Sequence, residues 1–160
     1  MQTPVDIHRW LEENQVPFES HLHSPRFTAQ EVAEASRVTG YELAKVIVVR
    51  ADGRFVMAVL PAPRRLSLPR LAEVLGVKEV RLATEEEFAP LFPGCEKGAM
   101  PPFGEIYGIE MILDRSVARH PEVAFNACTH SETLTVRWTD YERVAHPRLA
   151  DIVEPSHSPP

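Results

Sequence analysis

The sequence predicts an α+β (mixed α/β) domain, a mixed, barrel-like β-sheet of about six or seven strands with surrounding helices. Two β-rich and nearly continuously apolar runs, KVIVVR and RFVMAVLP, flank the turn signal Asp52-Gly53, which marks a hairpin. Capping boxes and prolines punctuate about five short helices among the strands. Strand and helix signals intermingle without the regular alternation of a doubly wound fold. The 160 residues, 44% apolar and 25% charged, suffice for one ordinary core. A single domain over residues 1–153 is expected, followed by a disordered tail over 154–160.

The elements follow in order. Thr3 as cap, Pro4 at the first helical position and the stripe Ile7, Trp10, Leu11 predict an opening helix that ends at Pro17. Phe18 to His23 alternates like a short strand. Thr28 and Glu31 form a capping box for a helix through Ser36, and a further helical turn is expected from Gly40 to Ala44. The hairpin strands come next; runs so apolar belong in a sheet covered on both faces. Ser67 and Pro69 start a helix through Leu75, Val80 to Leu82 reads as a strand, and Thr84 with Glu87 caps a helix to Leu91. The stretch from Phe92 to Gly108 holds four glycines and three prolines and is expected to be a long shaped loop, the kind that carries function. Strands resume at Glu110 to Leu113, Val123 to Ala127 and Thr133 to Arg137. Thr139 with Glu142 is expected to cap a last short helix.

Composition excludes several classes. The longest apolar runs fall far short of the ~18 residues of a membrane span, so no membrane association is expected. The charged first segment lacks the apolar core of a secretory signal, and the expected compartment is the cytoplasm. Cys95 and Cys128 are too few for a disulfide scaffold, form no C-x-x-C pair and read as thiols. A net charge of −6 argues against affinity gained by coating long stretches of nucleic-acid backbone. A local basic cluster (Arg64, Arg65, Arg70, Lys78, Arg81) is where a nucleic-acid contact would land, although a solvated helix face is the commoner origin of such a cluster.

The common catalytic signatures, from G-x-S-x-G to H-E-x-x-H, are absent. His21 and His23 share one face of a strand and lack a clear third ligand, so no metal or cofactor is expected. Cys128 near His130 is a weak nucleophile signal, since neighbours on a strand point to different faces. Three features remain. Lys45 stands at the entrance of an apolar strand, where an ammonium can meet a phosphate or carboxylate or simply extend to water. The loop Gly98-Ala99-Met100-Pro101-Pro102-Phe103-Gly104 can aim backbone groups at a ligand, glycine permitting close approach and proline stiffening the frame. Phe125 to His130 ends a strand with the polar groups of Asn126 and His130, which can line the same pocket.

These features carry a resemblance. In order and spacing, the lysine of LAKVIVV, the strand RFVMAVLPA, the G-x-x-x-P loop Gly98 to Pro102 followed by Phe103-Gly104, and FNACTH resemble the YbaK/EbsC family of aminoacyl-tRNA deacylases. That family is related to the editing domain inserted in bacterial prolyl-tRNA synthetases, and the resemblance runs from about Thr28 to Val144. It implies a catalytic set of Lys45, Gly98 and Pro102 and a substrate-binding set of Ala99, Met100, Pro101, Phe103, Asn126 and His130. His130 stands where many relatives place a small residue or threonine. The implied activity is trans editing, hydrolysis of the ester that joins a wrong small amino acid to the 3′ adenosine of a tRNA. The implied partner is the 3′ CCA end of a mischarged aminoacyl-tRNA, with an aminoacyl-tRNA synthetase as a further candidate. In this reading Lys45 engages the substrate near the terminal nucleotide, while the loop backbone positions water and the tRNA's neighbouring hydroxyl assists. Alanine, serine, threonine, cysteine and small non-protein residues all stay open as the group removed. The alternatives are a non-catalytic module that binds an amino acid or a tRNA end on the same fold, and a hydrolase of small acyl esters.

Overall fold

The structure, a computed structural model, describes residues 6–23 and 43–155. Helix α1 (Ile7–Glu13) is capped by Asp6, whose carboxylate accepts from the amides of His8 and Arg9. The described helix therefore starts later than a Thr3 cap predicts, because Asp6 supplies the acceptor that the first turn requires. Thr3 and Pro4 lie outside the described residues, as does the predicted helix from Thr28 to Ser36. Strand β1 (Glu19–Leu22) follows, and Ala44, expected at the end of a helical turn, already opens strand β2 (Ala44–Ala51).

Strands β2 and β3 (Arg54–Pro61) pair antiparallel in one uninterrupted register from Ala44↔Pro61 to Ala51↔Arg54. Asp52 (φ 47°) and Gly53 (φ 91°) both take the left-handed conformation that tight hairpin turns require. Helix α2 (Leu68–Leu75) is capped by Ser67 and ends at the left-handed Gly76. Strand β4 (Val80–Leu82) leads to α3 (Glu85–Phe88), where the Thr84–Glu87 capping box forms as expected. The segment Ala89–Leu91 tightens into a 3₁₀ turn, since Pro90 brings no backbone donor to continue the helix. The long loop holds one short helix, α4 (Gly104–Tyr107). Strands β5 (Glu110–Asp114), β6 (Glu122–Asn126) and β7 (Glu132–Arg137), helix α5 (Trp138–Ala145) and strand β8 (Arg148–Ala150) complete the chain. Helix α5 has Arg137 at its cap position and no side-chain cap, so the predicted Thr139 cap does not form.

The eight described strands build two sheets, β1-β7-β6 and β4-β2-β3-β5-β8, where the sequence predicts one mixed, barrel-like sheet of about six or seven strands. Among the described residues no closed barrel forms. The sheets touch through one parallel bridge, Leu43↔Ala124, beyond which β2 is taken up on both sides by β3 and β4. The main core lies between the sheets, with Val46, Val48, Met57, Val59, Phe103, Phe125 and Tyr141 at its centre. A second core, built on Val49, Val56, Ala58, Leu71 and Ile112, packs α2 on the other face of the five-stranded sheet. That sheet is thus covered on both faces, which is why β2 and β3 read as continuous apolar runs. Strands β3, β5 and β8 run parallel, so their C-terminal ends lie together with the N-terminal end of the antiparallel β2. Glu154, placed by the sequence in a disordered tail, donates its amide to the Arg65 carbonyl at 2.7 Å.

Candidate active site

The site is built where the two sheets meet. Because Leu43↔Ala124 is a parallel bridge, Lys45 and Asn126 stand two residues further along their strands at the same level. Strand alternation puts Val46 and Val48 in the core between the sheets, and Lys45 with Ile47 and Val49 on the opposite face. In β6, Val123 and Phe125 point into the same core, so Ala124 and Asn126 face outward as Lys45 does. Lys45 is half-buried and has no ion-pair partner among the described residues. Burial, and secondarily the cationic Arg65, push its ammonium pKa down from the ordinary lysine range.

The glycine–proline loop is held against the chain just beyond Asn126. Its side chains point inward: Ala99 and Met100 are buried, and Phe103, 1% exposed, stacks against Trp10, Phe125 and Tyr141 with centroids 5.1 to 5.3 Å apart. Pro101 and Pro102 are buried as well. The Tyr141 hydroxyl donates to the Pro102 carbonyl at 2.7 Å, and complete burial holds that phenol far above its usual pKa. The Cys128 amide donates to the Ala99 carbonyl at 2.9 Å, which fastens the loop to the end of β6. The loop therefore offers backbone, and the amides of Gly98 and Met100 have no acceptor among the described residues. Gly98 holds φ +78°, a conformation that side-chain-bearing residues adopt at a cost. The His130 ring lies on this glycine and hydrogen-bonds through Nε2 to the Lys97 carbonyl.

The structure thus brings Gly98 to Phe103 together with Asn126 and His130, and sets Lys45 level with Asn126. Phe103 sits in the core beneath the loop, where it fixes the loop's position. Two elements were not foreseen. Cys95 and Cys128, expected as thiols, are joined as a disulfide, because Glu96 donates to the Cys128 carbonyl at 2.9 Å and draws the loop's first turn onto the strand end. The Tyr107 hydroxyl lies 3.6 Å from each sulfur, and burial lifts its pKa to about 12. Only the alignment of a 33-residue separation in three dimensions reveals that pair. The second, Arg65, was visible as part of the basic cluster, but its influence on Lys45 was not. Among the described residues no group of three His, Cys, Asp or Glu side chains could hold a metal ion. Among the same residues no helix is long and apolar enough to cross a membrane.

Comparison with known proteins decides the family. A profile of the aminoacyl-tRNA editing domain matches residues 23–144, most of the chain and every site residue named above. The chain belongs to the aminoacyl-tRNA editing domain family. It is 32% identical over 113 residues to the multifunctional Ser/Thr-tRNA deacylase ProXp-y of Escherichia coli K12, a match covering 68% of this chain and 67% of that protein. It is 33% identical over 79 residues to a proline–tRNA ligase of Heliobacterium modesticaldum, covering 49% of this chain and 14% of the ligase. A solved structure described as a putative trans-editing enzyme for prolyl tRNA synthetase superposes with a TM-score of 0.82 at 22% identity, covering 94% of this chain and 96% of that one. That likeness shows the fold. Membership of the family, and of the YbaK-like group within it, makes the protein a hydrolase that acts on aminoacyl-tRNA.

Proposed function

We propose that this editing-family protein works in trans, as a free-standing deacylase that removes a small, wrongly attached amino acid from the 3′ end of tRNA. The observation that carries the reading is Lys45, a half-buried ammonium with no carboxylate partner among the described residues, level with Asn126, just beyond which Cys128 holds the glycine–proline loop. A cation left uncompensated at a site entrance is costly to the fold and is suited to an anionic substrate. The terminal phosphodiester of a CCA end supplies that anion.

In this reading Lys45 holds the terminal nucleotide and Asn126 hydrogen-bonds the substrate beside it. The Gly98 and Met100 amides face the ester carbonyl. Water adds to the carbonyl carbon and the carbonyl oxygen becomes an oxyanion, which the amides stabilise. The C–O bond to the ribose then breaks, the ribose oxygen takes one of the attacking water's protons, and the amino acid leaves as its carboxylate with the second proton released to solvent. The neighbouring ribose hydroxyl can relay that proton. Aimed backbone donors of this kind are worth about 3–4 kcal/mol each, so an activated ester requires no serine or cysteine nucleophile. Pro102 and Phe103 hold the loop from below, His130 braces it from above, and Ala99 and Pro101 set its curvature.

Small amino acids are the class that calls for such a second site, since a synthetase pocket separates side chains differing by one methylene by only ~1–3 kcal/mol. The relative named as a Ser/Thr-tRNA deacylase supports the same class. The reaction belongs in the cytoplasm, where tRNA is charged, with a synthetase as a further candidate partner. Release of labelled amino acid from Ala-, Ser-, Thr- and Cys-tRNA, with Lys45→Ala beside the wild type, tests the proposal. Selective release that is lost in the variant is expected. Binding of charged tRNA without release would favour the amino acid or tRNA-end binding module instead.

A further inference from the structure

A second basic site lies at the same end of the five-stranded sheet as Lys45. A cavity of about 290 Å³ is lined by Arg64, Arg70 and Arg119 together with Asp114, Ser116 and Asp151. Its acidic groups are already engaged. Asp114, 2% exposed, accepts from the Ile152 amide at 2.9 Å and from the amide and hydroxyl of Ser116. Asp151 pairs with Arg115 at 3.5 Å. Arg64, Arg70 and Arg119 form no ion pair among the described residues. Arg64 donates to the Glu154 carbonyl at 2.9 Å and Arg70 to the Val153 carbonyl at 3.0 Å, contacts that orient the guanidinium groups and leave their charge unpaired. Arg119 has no hydrogen bond or ion pair among the described residues. With Arg115, which pairs with Asp151, four guanidinium groups outnumber the two carboxylates here, a local positive excess that favours an anion in a chain of net charge −6.

Register fixes its distance from the candidate active site. Lys45 pairs with Leu60, the residue after Val59 in β3, and Val59 pairs with Leu113, so Lys45, Leu60, Asp114 and Ala150 form one row across β2, β3, β5 and β8. At about 4.8 Å per strand, Asp114 and Ala150 stand roughly 10 and 14 Å from Lys45. Stacked nucleotides advance ~3.4 Å each along a strand, so the interval corresponds to three or four nucleotides.

We infer that the Arg64–Arg70–Arg119 cavity holds backbone phosphates of the acceptor strand of the substrate tRNA, a few nucleotides inward from the 3′ end that Lys45 receives. This rests on the deacylase reading for the identity of the RNA. The planar guanidinium fork fits phosphate oxygens, and two of the three forks are set in place by main-chain carbonyls before any ligand arrives. A short local contact also reconciles RNA binding with an acidic protein.

The test is the affinity of the full-length protein for tRNA bearing a non-hydrolysable 3′ aminoacyl amide, followed by fluorescence anisotropy across a range of salt concentrations. The Arg119 side chain makes no hydrogen bond or ion pair among the described residues, so Arg119→Glu is the informative variant, with Arg119→Lys beside it and thermal melting to confirm folding. We expect Arg119→Glu to weaken binding about tenfold or more near 0.1 M salt and to flatten the log–log salt slope by about one phosphate contact, with Arg119→Lys close to the wild type. Wild-type affinity and slope in Arg119→Glu would overturn the inference. If the wild type binds tRNA and discharges none, the deacylase reading fails, while the salt slope still decides for or against the phosphate site.

Discussion

The Tyr141 hydroxyl reaches from helix α5 to the Pro102 carbonyl at 2.7 Å, tying the last helix to the proline of the G-x-x-x-P loop. Tyr141 is completely buried, so Tyr141→Phe leaves that carbonyl without its partner in a dry environment. The expected cost is about 1–3 kcal/mol of stability, read by urea denaturation, with a fall in kcat from a loosened loop. A variant with unchanged stability and turnover would show that the loop needs no anchor from α5.

Gly98 is a second point of leverage. A Cβ there would sit 3.5 Å from His130 Cε1, an ordinary contact, so space is available and the restriction comes from φ +78°. Gly98→Ala should cost ~1–2 kcal/mol through the left-handed backbone, and Gly98→Val more. Turnover should fall further than stability, because relaxing the backbone re-aims the neighbouring amides. His130→Ala removes only the brace on the Lys97 carbonyl, and a smaller loss of rate is expected in the same single-turnover assay.

The legible parts of this fold were those encoded locally. Two apolar runs around Asp52-Gly53 gave the hairpin, and Thr84 with Glu87 gave a helix start, since each signal lies within a few residues of the structure it specifies. Strand β8 was missed: three residues after Pro147 carry no alternation, and they become a strand only by adding to the edge offered by β5. Barrel closure was not legible because it depends on which edges meet, and among the described residues one bridge at Leu43 joins the sheets. In the site, the order of Lys45, the loop and Asn126 was readable, whereas the facing of Lys45 and Asn126 away from the core follows from strand register alone.

Lys45 yields a prediction in which stability and activity separate. Its folded pKa is lowered, so the charged form costs stability throughout the range below that value, and the cost is relieved as pH rises through it. Lys45→Met should therefore melt at or above the wild-type temperature at neutral pH while losing about 10²-fold or more in deacylation. Arg65→Ala removes the repelling charge, so the Lys45 pKa rises and the alkaline limb of kcat/KM, corrected for spontaneous ester hydrolysis, should move to higher pH. An unmoved limb would separate that ionisation from Lys45.

The Cys95–Cys128 link closes a loop with a sequence separation of 33 residues. Cross-linking of that length stabilises by about 3–4 kcal/mol in the chain-entropy estimate. For a domain of this size, reduction or Cys95→Ser should lower Tm by about 10 °C. Non-reducing peptide mapping of the native protein should recover the cross-linked pair. Reduction should also slow deacylation, since the Cys128 amide carries the Ala99 carbonyl and moves with its sulfur.

His8 ties α1 to strand β7 and gives the protein a distinct pH response away from the site. Its Nε2 donates to the Glu132 carboxylate at 2.8 Å, and the same carboxylate accepts from the Ser20 hydroxyl. The Glu132 hydrogen bond raises the imidazole pKa above 6.5 against the opposing effect of burial, with Asp6 adding a smaller push in the same direction. A raised folded value means that protonated His8 favours the native state. Its contribution is complete below the unfolded pKa and is lost as pH rises through the folded one. The ring is 39% exposed, so solvent screening holds the effect to about 1 kcal/mol at most. The difference in unfolding free energy between wild type and His8→Gln should therefore be largest near pH 5.5 and shrink towards pH 8.5. A difference that stays constant across that window would mean that the ring stabilises α1 by packing against Phe18, 5.7 Å away, independently of its charge.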